Sequence, residues 1–291
     1  MSEPSSTSVV IPAFNEAASI AAVVEGMRRA GPWREILVID DGSTDATAAR
    51  ARAAGARVIS HPYNKGLGAA IKRGIRAAAG THVLIMDGDG QHRPEDARRL
   101  VARLDTYDLV VGARPAATQA TPGRRLGNAL LNRLASRLTA HPVADLTSGF
   151  RTARTDLLRE FVHMLPNGFS SAATITLAAI RAGYSVAFEP TAARRRQGTS
   201  KIRFARDGFK FWLILLRVVT IYSPLRVFVP ISLVLLATGV GYALWTIVTD
   251  TDVTDTAALL IMLSVLVFLI GLVSDQIATL RADPRGRDRE R

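Results

Sequence analysis

The chain has 291 residues, 48% of them hydrophobic, enough for one well-buried domain and a smaller second part. It contains no cysteine, which excludes disulfides, thiolate metal sites and cysteine nucleophiles, and five scattered histidines with no His-Glu-x-x-His argue against a zinc hydrolase. The formal net charge of +12 asks for an anionic partner; with no nucleic-acid module signature, that partner is read as a phosphate-bearing substrate and an anionic membrane face, not nucleic acid.

The start, Met1 to Ser8, is polar and lacks an apolar signal core, so the catalytic part is expected in the cytoplasm. Alternating apolar runs and amphipathic stretches then predict strand 8–14, helix 16–29, strand 35–40, helix 44–54, strand 57–60, helix 67–79, strand 81–86, helix 94–104 and strand 109–112. Asn15 suits a helix N-cap and Pro94 a first helical turn. This order predicts a doubly wound α/β domain with a mostly parallel sheet.

Two aspartate-rich turns follow two of these strands. Asp40-Asp41-Gly42-Ser43-Thr44-Asp45 comes after Ile36-Leu37-Val38-Ile39, and Asp87-Gly88-Asp89-Gly90-Gln91 after Val83-Leu84-Ile85-Met86. Asp and Gly are ordinary turn residues, but in a parallel sheet these turns fall at the edge where open α/β sheets bind ligands. Clustered carboxylates repel one another and call for a cation. An Asp-x-Asp turn suits Mg²⁺ or Mn²⁺ held through few protein oxygens, with positions left for the phosphates of a nucleotide diphosphate. Gly66-Leu67-Gly68-Ala69-Ala70-Ile71 imitates a dinucleotide fingerprint but ends on Ile71 and lies in the third unit, so it reads as a tight turn with a helix N-terminus able to face a nucleotide.

Beyond residue 112 the pattern loosens. A basic amphipathic stretch covers 124–138, a turn falls at Thr147-Ser148-Gly149, a helix lies near 171–182, and a short strand 185–188 precedes Gly198-Thr199-Ser200-Lys201. Residues 203–226 mix aromatic, aliphatic and basic side chains, as interfacial amphipathic helices do. Val227–Val248 and Ala257–Val273 each approach the ~20 apolar residues that span a bilayer. Their connector carries aspartates and no Lys or Arg, while arginines flank the pair, which puts both chain ends in the cytoplasm and the connector outside. The expected domains are a disordered 1–7, a catalytic 8–202, amphipathic juxtamembrane helices 203–226, a two-helix transmembrane hairpin 227–280 and a disordered basic tail 281–291.

Taken together, Ile11-Pro12-Ala13-Phe14-Asn15-Glu16, the two aspartate turns with His92, Asn64-Lys65-Gly66-Leu67-Gly68, Gly112-Ala113-Arg114, Asp145 to Arg151 and Gly198 to Lys201 resemble, in this order, the motifs of inverting family 2 glycosyltransferases of GT-A fold. They are most similar to the branch that includes dolichol-phosphate mannose synthase and bacterial polyprenyl-phosphate glycosyltransferases. The resemblance runs from about residue 8 to about 203. It implies a donor such as GDP-mannose or UDP-glucose, a polyprenyl (dolichyl or undecaprenyl) phosphate acceptor, and Mg²⁺ or Mn²⁺.

By the same resemblance Pro12, Asn15, Glu16, Asp40, Asp41 and Lys65 belong to the donor pocket, and Asp87, Asp89 and Gln91 surround the metal and the donor diphosphate. Arg195 or Arg196, with Ser200 and Lys201, close over that diphosphate. Arg114, Arg124, Arg125, Ser148 and Arg151 meet the acceptor, and Asp89, Asp145, Arg114 and Arg125 carry the catalytic role. Ser170 to Thr174 offers no acidic base where many family 2 enzymes have one. A phosphate nucleophile needs none, since it is already anionic at neutral pH; a hydroxyl would. Two other functions stay open: transfer to a polysaccharide or glycolipid hydroxyl, and a non-catalytic sugar-nucleotide-binding membrane subunit. Self-association through the transmembrane helices is a further option.

Overall fold

The structure, a computed structural model, describes residues 3–114, 122–168, 170–192, 224–250, 252 and 254–282, and of residues 122–124, 250 and 280–282 the backbone alone. The chain divides into two units, Met1–Ile214 and Leu215–Arg291.

In the first unit, β1 (Thr7–Ala13), β2 (Glu35–Asp40), β3 (Arg57–Ser60), β4 (His82–Ile85), β5 (Leu109–Ala113), β6 (Arg151–Arg154) and β7 (Val186–Pro190) form one sheet in the order β3-β2-β1-β4-β6-β5-β7. Every pairing is parallel except those of β6, which runs antiparallel between β4 and β5. The strand β1, between β2 and β4, is buried along its whole length, as expected of a parallel strand covered on both faces. Its side chains alternate between the layers. Val9 and Ile11 pack with Ile20, Val24 and Met27 of α1 (Ile20–Ala30) and Leu100 of α4 (Pro94–Ala102). Val10 packs on the other face with Ile71 and Ile75 of α3 (Leu67–Ala77). Among the described residues the other α-helices of this unit are α2 (Thr47–Ala53), α5 (Pro122–Thr139), α6 (Thr155–Phe161) and α7 (Ser171–Arg181).

The α/β architecture expected from the sequence is present, with two differences. The strand β6 and the helix α6 were not expected. The segment Arg151-Thr152-Ala153-Arg154 has no apolar run and is bounded by arginines, yet Arg151, Thr152 and Ala153 are buried between two apolar strands. Asn15 caps no helix. It sits in the left-handed region (φ 54°), and its side-chain carbonyl accepts the Thr44 N–H at 2.9 Å, joining the loops after β1 and β2; α1 begins only at Ile20.

The tight turn expected before α3 is present, with Gly66 in the left-handed region (φ 98°) and the helix starting at Leu67, and the protein's own backbone packs on that end. Gly68 N–H donates to Asn167 O at 2.8 Å, and a Cβ at Gly68 would fall 1.9 Å from Pro166 O. This glycine therefore seats the segment before α7. Gly68→Ala is expected to destabilise the fold by about 1–3 kcal/mol through overpacking, read as a lower denaturation midpoint of the detergent-solubilised protein; an unchanged midpoint would mean that the segment can move aside.

The second unit contains α8 (Leu225–Asp250) and α9 (Asp255–Ala282), packed as a hairpin. Both are long and apolar enough to cross a membrane, with mean hydropathy of 2.1 and 2.8, and most of their large apolar side chains are exposed. The second helix continues unbroken through Ser274-Asp275-Gln276. The juxtamembrane stretch expected at 203–226 falls almost wholly outside the described residues, as does the tail from 283.

Candidate active site

The register of β6 assembles the site. Arg151, its first residue, pairs with Ile85 of β4 and Val111 of β5, so the segment entering β6 arrives at the edge where β4 and β5 end. The Asp87–Gln91 turn, Arg114 and the Asp145–Gly149 segment meet there, although Arg114 and Asp145 are 31 residues apart.

Asp145 and Arg114 form a forked pair. Arg114 Nε donates to Asp145 Oδ2 at 2.8 Å and Nη2 to Oδ1 at 3.2 Å, and Nη2 also reaches Thr147 Oγ1 at 2.9 Å. The Asp145 side chain is 1% exposed, that of Arg114 26%. Burial alone would push the Asp145 carboxyl up, but the Arg114 fork and its charge outweigh this and hold it below the ordinary carboxylate range. For Arg114 burial acts against the charge, and Asp145, Asp87 and Asp89 together raise it above its ordinary value. Asp145 thus aims the guanidinium, and Arg114 is the group that keeps access to water.

Because the folded-state carboxyl is lowered, the pair's contribution to stability is complete above the ordinary value of 3.8 and is lost as pH falls through the folded-state value. Asp145→Asn is therefore expected to flatten acid unfolding below about pH 4. At neutral pH it should cost about 2 kcal/mol, less than for a fully buried pair because Arg114 keeps some water. Denaturant titration at several pH values reads both effects.

Asp87 is held from two sides. Its side chain is 35% exposed, with His92 Nε2 3.5 Å from Oδ2; the His92 ring is buried and stacks on Phe150 with centroids 4.8 Å apart. Burial would raise its carboxyl, and the His92 hydrogen bond and charge, with Arg114 and Arg151, bring it below the ordinary range. Gly149 closes the other side: a Cβ there would stand 2.7 Å from Oδ2 and 2.9 Å from Oδ1. Asp89 Oδ1 accepts the Gln91 N–H at 3.1 Å, and the Ser19 hydroxyl donates to Gly88 O at 2.8 Å, fixing the turn to the start of α1. Among the described residues no three His, Asp or Glu side chains converge on one point. Two hard carboxylates on a rigid turn, one of them packed against a side-chain-free backbone, fit a divalent cation that takes its other ligands from phosphate and water.

The remaining predicted residues are placed as follows. Pro12 lies in β1 beside Ile39, and Glu16 is partly buried with Oε2 3.3 Å from Ser19 Oγ. Asp40 is buried and accepts the Ser43 N–H at 3.1 Å. Asp41 is turned toward the 61–66 loop, binding His61 Nδ1 at 2.7 Å and the N–H groups of Lys65 and Gly66 at 3.0 and 2.8 Å; the exposed Lys65 ammonium lies over the Tyr63 ring. Ser148 is fully buried, its hydroxyl 3.3 Å from Phe150 N.

Arg151 is 2% exposed. Its guanidinium donates to Ser148 O, to Ala172 O at 2.5 Å and to Thr176 Oγ1 at 3.1 Å, clamping the 148–149 turn to the start of α7; burial brings its pKa down to about 10 against the opposing pull of Asp145 and Asp87. Arg125 is exposed on α5, while the side chains of Arg124, Arg195, Arg196, Ser200 and Lys201 lie outside the described residues. No sequence signal gives His92, Thr147, Phe150 or His61 a role, although His92, Thr147 and Phe150 stand inside the motifs.

The chain belongs to glycosyl transferase family 2, which residues 8–162 match. Residues 223–280 match the GtrB C-terminal hairpin, which covers α8 and α9. Glycosyltransferase AglJ of Haloferax volcanii is 28% identical over 100% of this chain and 99% of its own length. Polyprenol monophosphomannose synthase of Mycolicibacterium smegmatis is 34% identical over 67% of this chain and 80% of its own. Glucosyl-3-phosphoglycerate synthase from Mycobacterium tuberculosis, crystallised with Mn²⁺, UDP and phosphoglyceric acid, superposes with a TM-score of 0.59 and 27% identity, covering 74% of this chain and 77% of that one. The GT-A-like fold expected from the motifs is thereby established, and the protein is a family 2 glycosyltransferase.

Proposed function

We propose that the protein transfers a hexose, with inversion, from a nucleotide diphosphate sugar to a polyprenyl phosphate at the cytoplasmic face of a membrane in which α8 and α9 anchor it. The observation that carries this reading is the Arg114 guanidinium, aimed by buried Asp145 and close enough to Asp87 and Asp89 to feel their charge. A fixed cation beside a metal-type carboxylate turn suits a reaction between two phosphate-bearing substrates. The similarity to a polyprenol monophosphomannose synthase and the hairpin match support the lipid acceptor and the anchor.

In the reaction, an oxygen of the acceptor phosphate forms a bond to the anomeric carbon while the bond from that carbon to the donor diphosphate breaks and the nucleoside diphosphate leaves. A divalent cation held by Asp87 and Asp89 would supply Lewis-acid stabilisation of the leaving diphosphate. Arg114 holds the incoming phosphate and offsets its repulsion with the donor, placing the nucleophile for attack. Asp145 orients Arg114, and Arg151 clamps the turn that packs Gly149 against Asp87. No general base is required for a phosphate nucleophile, in keeping with the absence of a carboxylate from Ser171 to Thr174 at the start of α7. The arginines at both ends of the hairpin and the acidic connector without Lys or Arg support a non-cytoplasmic connector by the positive-inside bias.

Purified full-length protein in proteoliposomes, given Mn²⁺ or Mg²⁺ and either GDP-mannose or UDP-glucose, tests this reading. It is expected to glycosylate a polyprenyl phosphate from one of the two donors. Transfer only to a glycolipid or saccharide hydroxyl, or donor binding without transfer, would replace it with one of the two other functions.

A further inference from the structure

We propose that the outward face of α5 is a docking surface for an anionic lipid bilayer. The helix has 18 residues, four of them arginine and none acidic. Its inward face carries buried Leu131, Ala135 and Leu138, and Asn132 braces the segment bearing Asp145 through Ala144 O at 2.7 Å and the Leu146 N–H at 3.0 Å. On the outward face Leu126 is 75% exposed and Leu130 56%, followed by exposed Arg133 and Arg137. Positions 126, 130, 133 and 137 follow the i, i+4, i+7, i+11 spacing of one helical stripe.

Two exposed leucines in line with two arginines, and no opposing acid, match the layered chemistry of a bilayer surface. The leucines enter the boundary of the acyl chains, and each arginine lays its stem on apolar surface and keeps its guanidinium at phosphate level. An acidic protein surface would match the arginines but not the leucines beside them, whereas an anionic bilayer offers apolar and phosphate layers together, and the pairing of exposed leucine with arginine selects it. The consequence is mechanistic: Asn132 links this helix to the Asp145 segment, so a bilayer seated on α5 brings acceptor headgroups beside the Arg114 cation. The inference rests on the membrane-anchored reading above, but its test does not use transfer.

The cysteine-free chain allows single-cysteine variants Leu126→Cys and Leu130→Cys, with Ala79→Cys at the opposite edge of the sheet as the water-facing control, each carrying a polarity-sensitive fluorophore. The full chain is reconstituted in phosphatidylcholine with or without phosphatidylglycerol, and no substrate is added. Nitroxide-labelled lipid is expected to quench the labels at 126 and 130 severalfold more than that at 79. Phosphatidylglycerol should strengthen this quenching, and R133E/R137E should remove the dependence on it. Equal quenching of all three labels by aqueous iodide would overturn the proposal. So would labels reached by neither quencher, which would place the face against protein, and so would energy transfer between copies without lipid quenching, which would make it a self-interface. Lipid quenching with no glycosyl transfer would leave the docking surface standing and remove the acceptor assignment; transfer without lipid quenching would do the reverse.

Discussion

Asp89→Ala is expected to lower kcat/KM by about 10³-fold, roughly 4 kcal/mol of transition-state stabilisation, with the fold intact. The size follows from the small number of protein oxygens in the site. Only Asp87 and Asp89 follow β4 at the sheet edge, and no third carboxylate or imidazole converges with them among the described residues. In the proposed mechanism, removing one of the two carboxylates that would hold the cation would leave the departing diphosphate poorly neutralised. The residue lies in a turn rather than in the core, and its Oδ1 closes a local bond to Gln91 N–H. Thermal unfolding should therefore change little, while calorimetric binding of Mn²⁺ with nucleoside diphosphate weakens sharply. A rate equal to that of the parent protein, or full turnover in excess chelator, would remove the metal role.

Gly149→Ala is expected to cost about 10²-fold in kcat/KM, the scale of a displacement near 1 Å at a reacting centre. Gly149 does not adopt a left-handed backbone conformation, so conformational strain is not the cause. The cause is contact: the added methyl would occupy space 2.7 and 2.9 Å from the two Asp87 oxygens. The same Oδ2 also lies 3.5 Å from Nε2 of His92, which is buried and stacked on Phe150 and limits how the carboxylate can move. Arg151 prevents the turn from backing away, since its guanidinium holds Ser148 O and the first turns of α7 together. The carboxylate must therefore rotate. The variant should show weakened Mn²⁺ binding with acceptor KM nearly unchanged. A selective rise in acceptor KM would instead place Gly149 at the acceptor.

The strands β1, β2 and β4 and both aspartate turns are legible in the sequence because these strands are short apolar runs that end in turn residues. What it concealed sits around β6. A buried strand that begins and ends in arginine carries no period-two signal, and the charge of Arg151 is tolerated only because α7 and the 148 turn supply oxygen acceptors. The same strand decides the role of Asp145. Sequence alone cannot tell a carboxylate facing substrate from one facing an arginine 31 residues earlier, and the antiparallel insertion of β6 brings the two together. Asn15 differs for a related reason: it reads as local helix-start chemistry, yet it bonds to the neighbouring β2 loop. The α8–α9 hairpin was recognisable because spanning length and apolar composition are local properties.

The central claim is that the nucleophile is a lipid phosphate. It is tested most directly by giving full-length protein in one bilayer composition the same labelled nucleotide sugar with either a polyprenyl phosphate or the matching polyprenol. The account predicts product only with the phosphate, in which phosphorus NMR shows the sugar joined through the phosphate and the anomeric centre inverted relative to the donor. Comparable transfer to the free alcohol, or sugar attached elsewhere on the phosphate-bearing lipid, would contradict it.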